Sequence, residues 1–195
     1  MMKHRDLFRF GVVVSVLCLV GVSSSATPGR QAESGVQVWL DDMHALTYRA
    51  RVEGDWLVVE ATHEPGWHTY SMDNVSRARE KSGKKRPETE LPTVITPGDG
   101  LTIQGEWRQS PPLDLSMPDI RWYTWGFEGR SYFAVRLGKA TLPSSVQIDA
   151  QACTDALCTM VDALVVPVNS TESETDGQGS VDPESLVVVA SDVEP

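Results

Sequence analysis

The sequence predicts an all-β fold, an antiparallel sandwich of two sheets, and three observations carry that prediction. Short runs in which apolar and polar residues alternate recur along residues 36–168, among them "ALTYRARVE", "DWLVVEATH", "LTIQGEW", "SYFAVRLG", "SVQIDAQA" and "ALVVPV". Glycine and proline separate these runs at the intervals that turns require. Beyond the N-terminal apolar segment, no ten-residue stretch keeps a helical stripe. Six or seven short strands at this spacing indicate an immunoglobulin-like arrangement.

In chain order, the first element is a leader. Lys3, Arg5 and Arg9 precede an apolar run from Phe10 to Val22, and Ser24, Ser25 and Ala26 follow it. That is the pattern of a secretory signal peptide over residues 1–26, with cleavage expected near Ala26. The run is shorter than the roughly 20 residues that a membrane-spanning helix needs. An uncleaved anchor is the alternative, and lipidation of Cys18 is disfavoured by the bulky Leu17 before it. The expected location is therefore periplasmic or secreted, with no stable membrane span after cleavage.

Loss of residues 1–26 removes three basic residues and one acidic one, which takes the formal charge from −10 to −12. So acidic an exported chain is a poor partner for nucleic acid or an anionic membrane surface. Residues 27–35 form a short polar connection. The folded domain is expected between Val36 and Val168.

Within that domain the alternation reverses around Glu53, Gly54 and Asp55, which marks a hairpin. Leu46, Tyr48, Ala50 and Val52 line one strand's inner side, and Leu57, Val59 and Ala61 the other's. Residues 72–93 interrupt the strands, and their basic run from Arg77 to Arg86 reads as a solvated loop or as a docking patch for an acidic partner. Residues 169–195 read as an acidic, mostly disordered tail, because 169–185 hold almost no large apolar side chain. Residues 186–195, "LVVVASDVEP", are apolar enough for a strand, but nothing in the sequence fixes its partner.

The chemistry lies in "QACTDALC". Without the leader only Cys153 and Cys158 remain, and they can pair with each other or with a partner protein. A metal site is disfavoured because two thiols need two further ligands and none lies at finger-like spacing. A thioredoxin-type centre would have two intervening residues at a helix start. A disulfide closing so small a ring stabilises by only about 2 kcal/mol, so a staple would sit where staples do least. From the pair alone, a structural bridge and an electron-exchanging couple both stay open.

The neighbouring segments bear on that choice. "EPGWHTYS", "LPTVI", "GEWRQSPP", "YTWGFEGRSYFAVRL", "QACTDALC" and "LVVPV" follow one another in an order that resembles the amino-terminal domain of the thiol:disulfide interchange protein DsbD. The resemblance spans about Val36 to Val168. It implies an immunoglobulin-like sandwich in the periplasm with one redox-active cysteine pair, Cys153 and Cys158, Cys158 exchanging with partners and Cys153 resolving. It implies thioredoxin-like or disulfide-isomerase-like exported partners and a separate membrane electron donor, since the sequence ends at Pro195. It also implies that Phe127, with Tyr123 and Trp125 beside it, shields the pair; ordinary core packing is the other reading of Phe127. His68 and Tyr70 match a strand that runs near the site, and Asp155 lies inside the loop, either raising a thiol's pKa or serving as a turn residue. No cofactor is implied. The family often has prolines directly after the second cysteine, where this chain has Thr159, Met160 and Val161. The competing expectation is a non-catalytic immunoglobulin-like module that binds a protein and uses the disulfide as a staple.

Overall fold

The computed structural model describes residues 35–170 and 181–190. The expected leader and its cleavage point lie outside the described residues. Thirteen strands form among them: β1 (Val36–Leu40), β2 (Met43–Glu53), β3 (Trp56–His63), β4 (His68–Tyr70), β5 (Val94–Pro97), β6 (Leu101–Ile103) and β7 (Arg108–Gln109), then β8 (Leu113–Asp114), β9 (Trp125–Glu128), β10 (Arg130–Ala140), β11 (Ser144–Cys153), β12 (Cys158–Ser170) and β13 (Val187–Val188). One α-helix, α1 (Asn74–Ser82), follows β4.

The β2–β3 hairpin forms where the alternation reverses. Gly54 adopts φ 58° in the turn, a left-handed conformation that a side chain would strain. Tyr48 then faces Ala61 and Ala50 faces Val59. Because side chains alternate between faces, these residues and Leu46 and Leu57 enter the core together. Their other face carries Arg49 and Arg51, which flank the buried Glu60 with Arg130 from β10.

Hydrogen bonding runs in the order β13-β7-β10-β3-β2-β12-β11-β4-β9-β8. In a flat sheet at roughly 4.8 Å per strand, β10 and β9 would lie about 29 Å apart. Instead Phe127 of β9 and Phe133 of β10 meet edge to face, with ring centroids 5.3 Å apart. The ladder is therefore folded over on itself, and its two layers enclose one core that takes Val59, Phe133 and Val135 from one side and Val146, Ile148 and Ala152 from the other. The all-β, two-layer expectation holds. The seam between the layers departs from a wholly antiparallel arrangement, because β12 runs parallel to β2 where Val168, Asn169 and Ser170 face Ala50, Arg51 and Val52.

Two segments correct the sequence reading. Residues 74–82, within the expected loop, are helical, and Gly83 ends the helix at φ 67° with its N–H donating to the Arg79 carbonyl. Only Asn74 and Ala78 are buried in α1, so there is no apolar stripe to read. The helix is held instead by the Asn74 amide. Its Nδ2 donates to the Glu90 carbonyl (2.9 Å) and to Thr124 Oγ1 (3.0 Å), and its Oδ1 accepts the Trp125 N–H (2.7 Å). Lys81, Lys84, Lys85 and Arg86 are exposed, in keeping with a solvated face. The tail is the second correction: residues 181–190 are ordered against the domain. Val187 and Val188 pair with β7, and Leu186 packs with Trp56, Val58 and Ala134 on the outer face of β3 and β10.

Candidate functional site

Strands β11 and β12 form a hairpin whose connection, Thr154 to Leu157, holds itself together. The Thr154 N–H donates to the Leu157 carbonyl (2.7 Å), and Thr154 Oγ1 accepts the N–H of Leu157 (3.1 Å) and of Ala156 (3.3 Å). Thr154, a residue type suited to such a turn, thereby sets the last residue of β11 directly opposite the first of β12. These are Cys153 and Cys158, bonded at S–S 2.04 Å with Cα atoms 4.0 Å apart. The two differ in environment. Cys153 is 1% exposed, whereas Cys158 lies in the open.

Register decides what surrounds them. Cys153 faces Cys158 on one side and His68 of β4 on the other, and His68 faces Glu128 of β9. Residues in register share a face, so Cys158, Cys153, His68 and Glu128 form one transverse row. The next row, Thr159, Ala152, Thr69 and Phe127, has the opposite orientation, and its Ala152, Thr69 and Phe127 are buried. Phe127 is therefore on the core side of the sheet, its ring against Phe133, and does not shield the disulfide. The reason is a parity of one residue: the neighbour of His68 is Glu128, not Phe127. Trp125 lies three residues before Glu128, about 10 Å along the strand. Its N–H is bonded to Asn74, and the Tyr123 carbonyl accepts from Thr89 Oγ1, so the main chain at both residues belongs to the α1 anchorage.

His68 and Tyr70, two apart on β4, do stand on the cysteine face. His68 Nε2 and the Tyr70 hydroxyl are 3.1 Å apart, and the rings meet edge to face at 5.4 Å. Burial lowers the His68 pKa from its ordinary value, against the opposing pull of Glu128, Asp155 and Glu90, so the ring is mostly neutral at pH 7. Burial, and then Glu90, raises that of Tyr70. Asp155 is exposed in the loop, close enough for its charge to be felt at His68. The site thus gathers Cys153, Cys158, His68, Tyr70 and Asp155, and leaves out Phe127. Glu128 and Glu90 join it without any local sequence signal, because strand register and a loop placed them. Leu157 and Met160, 49% and 57% exposed, flank Cys158.

Chemically, the site offers one exposed cysteine bonded to one buried cysteine, in an acidic and partly apolar setting. Among the described residues no group of three or more His, Cys, Asp or Glu is arranged to hold a metal ion, and no helix is long and apolar enough to cross a membrane.

No protein-family profile matches the chain, and no curated protein matches it. Among solved structures, the chain is similar to the reduced form of the Neisseria meningitidis DsbD n-terminal domain at 14% identity and a TM-score of 0.40, covering 63% of this chain and 85% of that one.

Proposed function

We propose that this chain is a thiol-disulfide exchange domain that relays electrons between thioredoxin-like or disulfide-isomerase-like exported proteins through Cys153 and Cys158. The observation that carries the reading is the asymmetry of the pair: Cys158 is exposed and Cys153 is buried behind it. A bridge at the end of a hairpin that is already closed by backbone bonds adds little to stability, whereas a single accessible sulfur is what exchange requires.

In the accepting half-reaction a partner thiolate attacks Cys158 Sγ. The Cys153–Cys158 bond breaks, Cys153 leaves as a thiolate, and the partner is joined to Cys158. The partner's second thiolate then attacks its own sulfur in the mixed disulfide and releases Cys158, so two electrons have passed to the pair. In the delivering half-reaction the Cys158 thiolate attacks an acceptor's disulfide, and Cys153 resolves the intermediate by re-forming the bond to Cys158. The immediate electron donor is a separate membrane-associated protein, and the leader directs the chain across the membrane to meet it.

The reduction potential of the pair tests this. Equilibration with glutathione should give a value in the range of isomerases and glutaredoxins, about −180 to −230 mV; a value below about −300 mV marks a structural bridge and defeats the proposal.

A further inference from the structure

The cysteine hairpin is closed on one side and open on the other. On the far side of β11 from β12, β5 and β4 complete its hydrogen bonding. Beyond β12 itself, β2 pairs only with Val168–Ser170, and among the described residues no strand pairs with the outer edge of Cys158–Val161.

The direction in which the backbone groups point follows from the ladder. In an antiparallel pair, residues that exchange hydrogen bonds with their partner alternate with residues whose N–H and C=O point away, and the Cα spacings are about 5.5 and 4.5 Å respectively. Two observations place Cys158 among those pointing away. Its Cα lies 4.0 Å from that of Cys153, and the bonded pair is its neighbour, Thr154 with Leu157. The period of two places Met160 in the same class. Cys158 and Met160 therefore both turn an N–H and a C=O toward the open edge.

Charge narrows what fits there. Strands β4, β9, β11 and β12 and the cysteine loop contain no Lys or Arg, and none occurs anywhere after Lys139. The same elements carry Glu128, Asp149, Asp155 and Asp162, with Glu90 close by.

We propose that Cys158 also exchanges with a second class of partner beyond the thioredoxin-like proteins, whose reactive cysteine starts a helix: an extended segment of an exported protein, with basic residues flanking its cysteine, adds as a strand to the outer edge of β12 at Cys158 and Met160. The inference rests on the exchange role proposed for Cys158. Bonding to the Cys158 N–H and C=O sets a partner residue opposite Cys158 at a Cα spacing of about 5.5 Å, within the range over which a disulfide forms. Backbone bonds supply the alignment, and the carboxylates select the basic segment.

The test uses two capped pentapeptides, Lys-Val-Cys-Val-Lys and Glu-Val-Cys-Val-Glu, as thiol donors to the oxidised protein. At low salt the basic peptide should exchange about tenfold faster, and 0.5 M salt should largely erase the difference. Met160→Pro removes an outward N–H but no bond to β11, and should slow the basic peptide by about three- to tenfold. Reduction by dithiothreitol should be unaffected, and Met160→Ala, which keeps the N–H, should retain the basic peptide's rate. Should Met160→Pro misfold, a basic peptide N-methylated at its cysteine and first lysine, the residues that face Cys158 and Met160, removes the same bonding from the other side and should show the same loss. A serine-for-cysteine basic peptide separates docking from exchange: it should shift the amide resonances of Cys158 and Met160 even if the disulfide reacts with neither peptide. Equal rates for the two peptides at low salt, full activity of the N-methylated peptide, or absence of those shifts overturns the docking proposal; failure of the pair to react with any thiol overturns only the exchange role.

Discussion

Cys153 and His68 are ladder neighbours, in register across β11 and β4. That relationship puts an imidazole, and through it Glu128, beside the buried sulfur of the pair. It also turns Phe127, one residue before Glu128, to the opposite side of the sheet.

Phe127 is a core residue, so its truncation tests packing rather than access. Phe127→Ala should cost roughly 3 to 5 kcal/mol in urea unfolding, from lost burial and the cavity left against Phe133. Under native conditions the rate of dithiothreitol reduction should stay close to that of the wild type. Faster reduction with unchanged stability would instead place Phe127 over the disulfide.

The two cysteines should behave differently when separated. Cys153→Ser leaves the exposed Cys158 without its resolving thiol and should accumulate a mixed disulfide with an oxidised thioredoxin-like protein, visible on non-reducing gels. Cys158→Ser leaves only the buried Cys153 and should accumulate none. Equal trapping by both variants would contradict the roles assigned here.

His63 makes stability depend on pH. Its ring is buried, with Nδ1 against the Gly129 carbonyl (2.8 Å) and Nε2 against Thr69 Oγ1 (2.8 Å), and burial lowers its pKa from 6.5 to about 4. A folded pKa below the unfolded one means that the folded state resists protonation. The contribution is complete above pH 6.5 and is lost as the pH falls through about 4, amounting to about 3 kcal/mol. Burial of His68 acts in the same direction. Urea midpoints between pH 7.5 and 4 should show this decline, and His63→Asn should flatten it.

Asn74 anchors α1 through bonds to residues far away in the sequence. Asn74→Ala leaves the Trp125 N–H and the Glu90 carbonyl without their partner, at a cost of roughly 1 to 3 kcal/mol for each group that stays buried. Amide exchange should then quicken over residues 74–82 and at Trp125, while the β2–β3 hairpin keeps its protection. Uniform destabilisation would show that the helix is not a separate unit of opening.

What the sequence determined by itself is what short-range patterns encode. The alternation through "ALTYRARVEGDWLVVEATH" fixed the β2–β3 hairpin, its inward residues and its turn, because side-chain direction repeats every two residues and Gly54 alone could turn there without strain. The spacing of Cys153 and Cys158 between two apolar runs placed them at a strand end and a strand start. Tertiary structure decided the rest. Whether Phe127 or Glu128 stands beside His68 depends on a register between β4 and β9, strands more than fifty residues apart in sequence, and a slip of one residue exchanges the two faces. Helix α1 carries no apolar stripe, since its stability comes from a polar side chain bonded to residues up to 51 positions away. Leu186 found a place only because folding exposed Trp56, Val58 and Ala134 on one outer face. Among the described residues the edge beside Cys158 is open because β12 reaches β2 only at its far end, a meeting of strands that no local pattern encodes.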